Sequence, residues 1–321
     1  MAVSGAGIDL KDRKILYELD LNCRQTNTKI AKKVGLSKDV VNYRIKRMEE
    51  KGIIKGYLAV IDTGRLGFSW HRFFLKFWDI TPEIQEQITR YLKTRVAWAV
   101  EARGNWDYCF IYWATAAREI HEFWVGFYGR FGKYIQKSWY SVFTRIFHCP
   151  RGLLLNKSHE KYLVWGDESG IIEIDESDKK ILGTIAEDAR LSTLEIAKKA
   201  HLTEMIVRYR MKKLQKDKVI LGFRPFLDIN LLGLKYYKMH FFLKDVSLQL
   251  LKKMITFTLA LPNTTYIDET IGGADFEVEL NAKDSTELYK IIDHYRKEFS
   301  QNIKDVEFLE YSREFTFKYI P

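Results

Sequence analysis

Cysteine and long apolar runs are scarce in this 321-residue chain. Its three cysteines, Cys23, Cys109 and Cys149, are unevenly spaced and form neither a disulfide framework nor a Cys-x-x-Cys metal pair. No apolar run approaches the ~18 residues needed to cross a bilayer. The first seven residues lack the basic start and apolar core of a signal peptide. We therefore expect a cytoplasmic protein in a reducing compartment, with no membrane partner.

Signatures of catalysis are equally few. The seven histidines are scattered along the chain without a local cluster. The sequence contains no nucleophile–base pair, no glycine-rich phosphate loop and no metal-ligand spacing. It therefore predicts no catalytic residue, no metal ligand and no cofactor.

A duplication is the dominant feature that the chain does contain. When the sequence is shifted by 166 positions, residues 10–57 align with 176–223 without a gap. The segment Ile30–Lys33, for example, falls on Ile196–Lys199, with identical letters. Two copies of a long unit indicate a duplicated module, because a solenoid needs three or more short repeats.

Positive charge is concentrated in the first copy of this repeat. The net charge is +10, and residues 8–57 hold 13 Lys and Arg against 7 Asp and Glu. Residues 171–223 hold 11 against 9, and residues 224–321 hold 13 against 15. A basic stripe is typical of a polyanion binder, although a lysine-rich solvated surface gives the same count.

Each repeat begins with the pattern of a winged helix-turn-helix. In the first copy, Ser37 is a suitable N-cap for a third helix, which carries Val41, Ile45 and Met48 along one face. Gly52 is placed to end that helix, and residues 53–61 follow as an extended wing. The apolar stripe is assigned to the core, which leaves the opposite face for function.

That opposite face is the candidate DNA-binding surface. It carries Lys38, Asp39, Asn42, Tyr43 and Lys46 in the first copy, and Glu204, Met205, Arg208, Tyr209 and Lys212 in the second. Asn and Arg can pair bidentately with adenine and guanine in the major groove, whereas Lys binds phosphate. A polar face is also expected on any solvated helix, but its recurrence in two three-helix heads favours DNA.

The two copies differ at their turns. Gly35 is replaced by His201, and Gly52 by Lys218, so the second copy has lost two permissive glycines. It is also less basic. We therefore predict that the second head binds DNA more weakly than the first, or not at all.

A strand-helix-strand-strand-helix-strand pattern follows each head, which is the order of a ferredoxin-like domain. In the first copy the segments are 68–80, 82–93, 96–103, 107–115, 116–131 and 134–147; in the second they are 235–245, 247–259, 264–270, 275–282, 284–299 and a strand within 303–319. The fold class is therefore α+β, with two tandem units. The expected domains are a winged helix-turn-helix at 8–61, a ferredoxin-like domain at 66–148, a linker at 149–172, a second winged helix-turn-helix at 173–228 and a second ferredoxin-like domain at 232–321.

Two motifs make the chain resemble the Lrp/AsnC transcription regulators. The run IAKKVGLSKDVVNYRIKRMEEKGII is close to the head of that family, and EARGNWDY and ETIGGADF match its Gly-x-x-Asp turn between two strands. The resemblance implies sequence-specific binding of double-stranded DNA and transcription regulation. It also implies a small effector, such as an amino acid, near Gly104, Asp107, Gly272 and Asp275. A tight hairpin accounts for both glycines as well, while structural and effector roles stay open for the two aspartates.

The tandem fusion departs from single-unit members of the family. Double-length members look archaeal, and two units in one chain can form an internal pseudo-dimer, with a higher homo-oligomer as a further option. We expect the two sheets to pack face to face at ~10 Å, with the heads held apart to reach two DNA half-sites. A basal transcription component is a further candidate partner. The alternative function is that of sirohaem decarboxylases, which share the architecture but need basic and histidine side chains.

The two ferredoxin-like halves also differ in polarity. Residues 107–115 form an apolar strand, whereas its counterpart places Glu277 and Glu279 between apolar residues. Lys238 and His240 on an adjacent strand are expected to face these glutamates. Cross-strand ion pairs explain the pattern better than a polar ligand site.

Overall fold

A computed structural model describes residues 7–167 and 170–320. The first unit consists of α1 (Leu10–Leu21), α2 (Asn27–Val34), α3 (Lys38–Glu50), β1 (Ile54–Ile61), β2 (Ser69–Phe77), α4 (Pro82–Lys93), β3 (Trp98–Gly104), β4 (Tyr108–Ala114), α5 (Ala117–Phe131) and β5 (Ile135–His148), followed by a short strand β6 (Leu163–Trp165). The second unit consists of α6 (Glu176–Glu187), α7 (Thr193–Ala200), α8 (Glu204–Lys216), β7 (Ile220–Leu227), β8 (Lys235–Leu243), α9 (Leu248–Ala260), β9 (Thr264–Ile271), β10 (Phe276–Ala282), α10 (Ser285–Glu298) and β11 (Ile303–Phe317). The predicted fold class is confirmed.

Side-chain caps and an apolar stripe define each head. Asp9 and Asp12 form a capping box at the start of α1, and Ser37 accepts a hydrogen bond from the backbone N–H of Val40 at the start of α3. Val41, Ile45 and Met48 are buried, as their helical spacing predicts. These caps fix where the exposed face of α3 begins.

The two ferredoxin-like units share one closed β-barrel. Hydrogen-bonded neighbours follow the order β2-β4-β3-β11-β8-β10-β9-β5, and β5 pairs again with β2. The units therefore join edge to edge, through β3–β11 and β5–β9. The expected face-to-face packing of two sheets is wrong, because closure leaves no free sheet edge and places both inner faces around one interior.

Helices cover the outside of this barrel. Helices α4 and α5 bury Phe73, Phe110 and Phe127 against the first unit, while α9 and α10 bury Phe241 and Tyr295 against the second. The strand at 107–115 is apolar on both faces for this reason: Tyr108 and Phe110 face the helices, whereas Cys109 and Ile111 face the barrel interior.

The segment predicted to be a linker, 149–172, packs closely against the rest of the chain. It includes a 3₁₀ turn at Gly152–Leu154 and strand β6, which pairs with β5. Leu154 and Trp165 are buried. The part of this range at 168–169 lies outside the described residues, as do residue 321 at the predicted end of the last domain and residues 1–6.

The two heads are joined by a two-stranded ribbon. Strand β1 pairs antiparallel with β7, with Ala59 opposite Phe223. The extended segment predicted as a wing is therefore paired with its counterpart from the other head. The backbone N–H of Cys23 also donates to Phe223, and that of Ala189 to Tyr57. The heads contact each other directly, contrary to the expectation that they stand apart.

In the part of the chain that the structure describes, no helix has the length and apolar character needed to cross a membrane.

Candidate DNA-recognition helices and an interior cavity

Helix α3 presents its predicted DNA-binding residues to solvent. The exposed residues are Lys38, Asp39, Asn42, Tyr43 and Lys46. Tyr43 is 66% exposed, a value that leaves its ring available for contact. Lys46 lies 3.8 Å from Glu50 in an exposed pair, which is too weak to withhold the ammonium from a phosphate.

Asn42 is held by a chain of hydrogen bonds that begins in the other head. Arg190 Nη2 donates to Asn27 Oδ1 at 2.6 Å, and Asn27 Nδ2 donates to Asn42 Oδ1. Asn42 Nδ2 donates to no residue that the structure describes, so this donor is available to a ligand. A fixed side-chain amide on an exposed recognition helix is suited to contact a base edge.

Helix α8 offers a less open face. Arg208 Nη2 donates to Glu204 Oε1 at 2.7 Å, and Thr193 donates to the same carboxylate oxygen at 2.7 Å. Arg208, Tyr209 and Lys212 are exposed, and Glu204 is half-buried. A carboxylate beside the guanidinium reduces the attraction of this face for DNA.

Arg44 and Arg210 act as anchors inside each head. Arg44 Nη1 lies 2.8 Å from both Asp9 and Asp12, and Arg210 contacts Asp175 and Asp178 in the same way. Both guanidinium groups tie the third helix to the first helix of the head. The two arginines are therefore structural, consistent with their position beside the core stripe.

The second head keeps left-handed backbone conformations without glycine. Gly35 and Gly52 have φ of 66° and 72°, and their counterparts His201 and Lys218 have φ of 55° and 57°. Residues with a Cβ carry a steric cost in this region. The two heads therefore share the geometry of both turns although the residues differ.

The candidate effector residues occupy two separate turns at the end of the barrel far from the heads. Asp107 accepts the backbone N–H of Phe77 at 2.8 Å and pairs with Lys76 at 2.6 Å, and Asp275 accepts the backbone N–H of Leu243 at 2.7 Å. Gly104 and Gly272 have φ of 121° and 83°. The strand order places the two turns on opposite sides of the barrel, so the structure does not bring the four residues together.

A cluster of buried ions lies inside the barrel. Arg72 of the first unit pairs with Asp268 at 2.9 Å and also with Glu277. Lys238 lies 2.8 Å from Glu277 and 3.4 Å from Glu279, which is its cross-strand partner in the ladder. Burial alone would raise the pKa of Glu277, but the charges of Arg72 and Lys238 outweigh it and hold that pKa well below its usual range. The predicted cross-strand ion pairs are therefore present.

His240 lies beside this cluster in an aromatic cage. Its ring makes edge contacts with Phe74 and Trp139, and neither ring nitrogen has a hydrogen-bond partner among the described residues. Burial lowers the pKa of His240 to about 3, so the imidazole is neutral at pH 7.

An interior cavity opens between the β1–β7 ribbon and the barrel mouth that faces the heads. Its volume is about 90 Å³. Its ionisable lining consists of His148, Arg151, Arg224, Tyr236, Tyr266, Asp268, Glu279, Glu314 and Tyr319. Sequence reasoning missed this cavity because its walls come from both units and from the segment at 149–172. The only local signal was the presence of charged residues such as Arg72 in otherwise apolar strands.

Comparison with known proteins identifies two DNA-binding modules in the chain. A winged helix-turn-helix DNA-binding family model matches residues 8–55, and an AsnC-type helix-turn-helix model matches residues 174–215. The proline dehydrogenase transcriptional activator of Rhodobacter capsulatus is 53% identical over 60 residues, which are 19% of this chain and 39% of that protein. For this and three other matched relatives, the chain spans 39% to 44% of their length.

Two longer matches extend beyond the head. The transcriptional regulator LrpB of Bacillus subtilis is 32% identical over 104 residues, covering 32% of this chain and 68% of that protein. An uncharacterized helix-turn-helix transcriptional regulator of Pyrococcus horikoshii is 32% identical over 118 residues, covering 35% of this chain and 77% of that protein. Among solved structures, the siroheme decarboxylase NirDL matches with a TM-score of 0.61 at 12% identity, covering 96% of this chain and 92% of that chain. That likeness shows a shared fold.

Proposed function

Because the chain belongs to the Lrp/AsnC family of helix-turn-helix transcription regulators, we propose that it binds double-stranded DNA with sequence preference and thereby regulates transcription. The exposed face of α3 carries this proposal. Lys38 and Lys46 supply phosphate contacts there, and Asn42 supplies a positioned amide for an adenine edge. The first head is the main DNA-binding element, because it is the more basic and its face is free of the Glu204–Arg208 pair.

Binding of a small effector and of further partners is a prediction from the sequence. An effector at the Gly104 or Gly272 turn would contact backbone groups, because the side chains of Asp107 and Asp275 are already engaged by their own strands. A basal transcription component and a higher homo-oligomer are hypotheses that rest on the many aromatic residues of the first unit.

The alternative function is a sirohaem-decarboxylase-like activity, which the shared fold with NirDL motivates. The lining of the interior cavity argues against it. Sirohaem carries several carboxylates, which the carboxylates of Glu279 and Glu314 in the cavity would repel. The cavity also contains the basic and histidine side chains that such an enzyme needs, His148, Arg151 and Arg224, but the Nη atoms of both arginines already donate to protein oxygens. We propose that the chain is not a tetrapyrrole enzyme.

Fluorescence anisotropy of the full chain tests DNA binding. Affinity for a random duplex should fall steeply between about 50 mM and about 200 mM salt, and a duplex selected from a random pool should bind more tightly. Asn42→Ala should reduce the preference for the selected duplex by ~1–3 kcal/mol, whereas Lys46→Ala should weaken both duplexes alike. Lys252→Ala, an exposed lysine on α9, is the matched charge control.

Two results would contradict the proposal. One is binding that is absent at both salt concentrations for random and selected duplexes. The other is unchanged affinity in both α3 variants, which would remove this face from the interface. Visible absorbance of the purified chain, with the band of a tetrapyrrole, would favour the alternative function.

A further inference from the structure

The interior cavity combines an apolar body with a few polar groups. Trp70, Trp98 and Phe143 form part of its walls, and the C-terminal Phe317 and Tyr319 cover one side. Cavities of this composition, formed between packed elements, are the usual places for small ligands in proteins. The cavity is built from both units, so it exists only in the assembled chain.

Several polar atoms of this cavity are buried without hydrogen-bond partners, and one carboxylate beside them has no ion pair. Both ring nitrogens of His148 and the Nε atoms of Arg151 and Arg224 are buried without a hydrogen bond to any described residue. Glu314 accepts a hydrogen bond from Trp98 Nε1 but forms no ion pair with a described cation. Burial raises the pKa of Glu314 to about 7, because the hydrogen bond from Trp98 and the positive charges of Arg151 and Lys55 offset the loss of water only in part and the Glu279 carboxylate adds to the rise. Buried polar atoms without a hydrogen bond, such as the His148 nitrogens, call for a partner, and Glu314 is the carboxylate next to them that forms no ion pair with a described residue.

The charges around the cavity leave one negative charge in excess. Arg151 is neutralised by Asp20 at 2.8 Å. Arg224 donates to the backbone carbonyls of His148 and Cys149 and forms no ion pair with a carboxylate of the described residues. At the rim, Lys55 is paired with Asp228 at 2.7 Å.

Deeper in the barrel, the two cations Arg72 and Lys238 face three carboxylates, Asp268, Glu277 and Glu279. Burial raises the pKa of Glu279 as well as that of Glu314. With both groups ionised, the carboxylates named here outnumber the cations by one, and Glu314 forms no ion pair with a described residue.

We propose that this cavity binds a small organic monocation, an amine with an aromatic or branched apolar body, whose ammonium group lies against Glu314. The aromatic rings of Trp98, Phe317 and Tyr319 supply apolar contact and cation–π attraction for such a group. The ammonium group restores charge balance, and its donors satisfy the carboxylate. An anionic ligand of the same size would add to the existing excess of negative charge.

The position of the cavity connects it to the heads. Leu58 and Val60 of β1 and Pro225 and Leu227 of β7 form its upper wall, and these strands carry the two helix-turn-helix heads. An occupant therefore contacts the ribbon and the barrel at once. Amine binding itself does not rest on the proposed function, whereas any effect of the amine on DNA affinity does.

Isothermal titration calorimetry of the full chain tests the inference with three probes of similar shape. Phenethylamine is the cation, phenethyl alcohol the neutral analogue and phenylacetate the anion. We expect saturable binding of phenethylamine, at least tenfold weaker binding of the alcohol and the weakest binding of phenylacetate. Quenching of tryptophan fluorescence, excited where the probes do not absorb, should follow the same order because Trp70 and Trp98 line the cavity.

The substitution Glu314→Gln tests whether the charge of this carboxylate is responsible for the preference. A glutamine keeps an oxygen acceptor for Trp98 and removes the charge, so phenethylamine should lose its advantage over the alcohol. Glu310→Gln, on the same strand and paired with Lys235 outside the cavity, should leave all three affinities unchanged. The comparison of the probes on the unmodified chain stands even where a variant does not fold.

Three results would overturn the inference. They are equal or tighter binding of phenylacetate, undiminished preference for phenethylamine in Glu314→Gln, and no saturable binding of phenethylamine, tyramine or tryptamine. None of them bears on DNA affinity, so failure here is distinguishable from failure of the proposed function.

Discussion

Arg190 of the second head holds Asn27 of the first, with Nη2 2.6 Å from Asn27 Oδ1. Because Asn27 in turn donates to Asn42, the orientation of an exposed amide on α3 is set by a guanidinium from the other half of the chain. The same guanidinium packs over the ring of Tyr57, which fixes it in place. The recognition face of the first head therefore depends on a residue of the second head.

Arg190→Ala should lower sequence discrimination by the first head without altering its response to salt. The amide of Asn42 would lose its fixed orientation, while the phosphate contacts of Lys38 and Lys46 would persist. We expect a loss of ~1 kcal/mol in the preference for a selected duplex over a random one.

Anisotropy titrations of the single variants and of the double variant with Asn42→Ala measure this coupling. In the double variant, discrimination should be no worse than in Asn42→Ala alone. Additive losses would show that Arg190 acts on specificity by another route.

The heads should contribute unequally to DNA affinity. Neutralising Lys38 and Lys46 together should weaken binding more than neutralising Arg208 and Lys212 together, because Arg208 is already paired with Glu204. Titrations of both double variants against one duplex at one salt concentration give the comparison. Equal or reversed losses would contradict the ranking of the heads.

Lys218→Gly should stabilise the second head by up to ~1 kcal/mol, because Lys218 has a φ of 57° that glycine adopts without steric cost. Gly52→Ala is the converse substitution at the equivalent position of the first head, and it should lower stability. An added Cβ at Gly52 would meet only Leu231 at 3.9 Å, so its cost should come from the φ of 72°. Denaturant unfolding of both variants measures the pair, and a loss of stability in Lys218→Gly would refute the argument.

His240→Phe should reduce the dependence of stability on pH. His240 has a pKa of about 3 in the folded chain, against about 6.5 when unfolded, so between these values the unfolded state binds one more proton. Stability contributed by this group is complete above pH ~6.5 and is lost as the pH falls toward 3. Three charged groups act on the ring. The Glu277 carboxylate lies 4.0 Å from His240 Nε2, and the other two groups are Lys238 and Arg72.

In His240→Phe the slope of unfolding free energy against pH should therefore decrease by up to about 1.4 kcal/mol per pH unit near pH ~5. Phenylalanine retains the edge contacts with Phe74 and Trp139. Urea unfolding between pH ~5 and pH ~7 measures both slopes. Parallel curves for the variant and the unmodified chain would count against a neutral, buried imidazole.

Residues 1–155 expressed alone should aggregate, because strands β3 and β5 would lose the partners that close the barrel. Co-expression with residues 170–321 should restore solubility by closing the barrel between two chains. Light scattering and size-exclusion chromatography check both states. A stable monomeric fragment would contradict the dependence of the first unit on the second.

The order of helices and strands was predictable because each follows from local spacing, and the duplication supplied an independent second instance. Val41, Ile45 and Met48, for example, are buried as their period requires. Barrel closure was not predictable in this way. It depends on pairings such as Trp98 with Phe317, more than 200 positions apart, which no local pattern encodes.

The recognition surface could be predicted from the sequence and the cavity could not, for the same reason. Exposure of Lys38, Asn42 and Lys46 follows from the opposite, apolar face of one helix. By contrast, His148 and Glu314 line one cavity only because separate units meet there. The glutamates at 277 and 279 were visible as a polar alternation, but Arg72 as their partner came from the other half of the chain.

Buried charge is divided unevenly between the halves of the barrel. Arg72 belongs to the first unit, while Asp268, Glu277 and Glu279 belong to the second. The positions of the first unit that correspond to these acids, 100, 109 and 111, hold Val, Cys and Ile.

Two copies of the first unit would therefore enclose two guanidinium groups with no counter-ion from these positions, at a cost of several kcal/mol for each buried charge. Each half has become specific for the other and unfit to pair with itself. For the first unit to pair with a copy of itself, acidic residues would have to be introduced at positions such as 100, 109 and 111 at the same time.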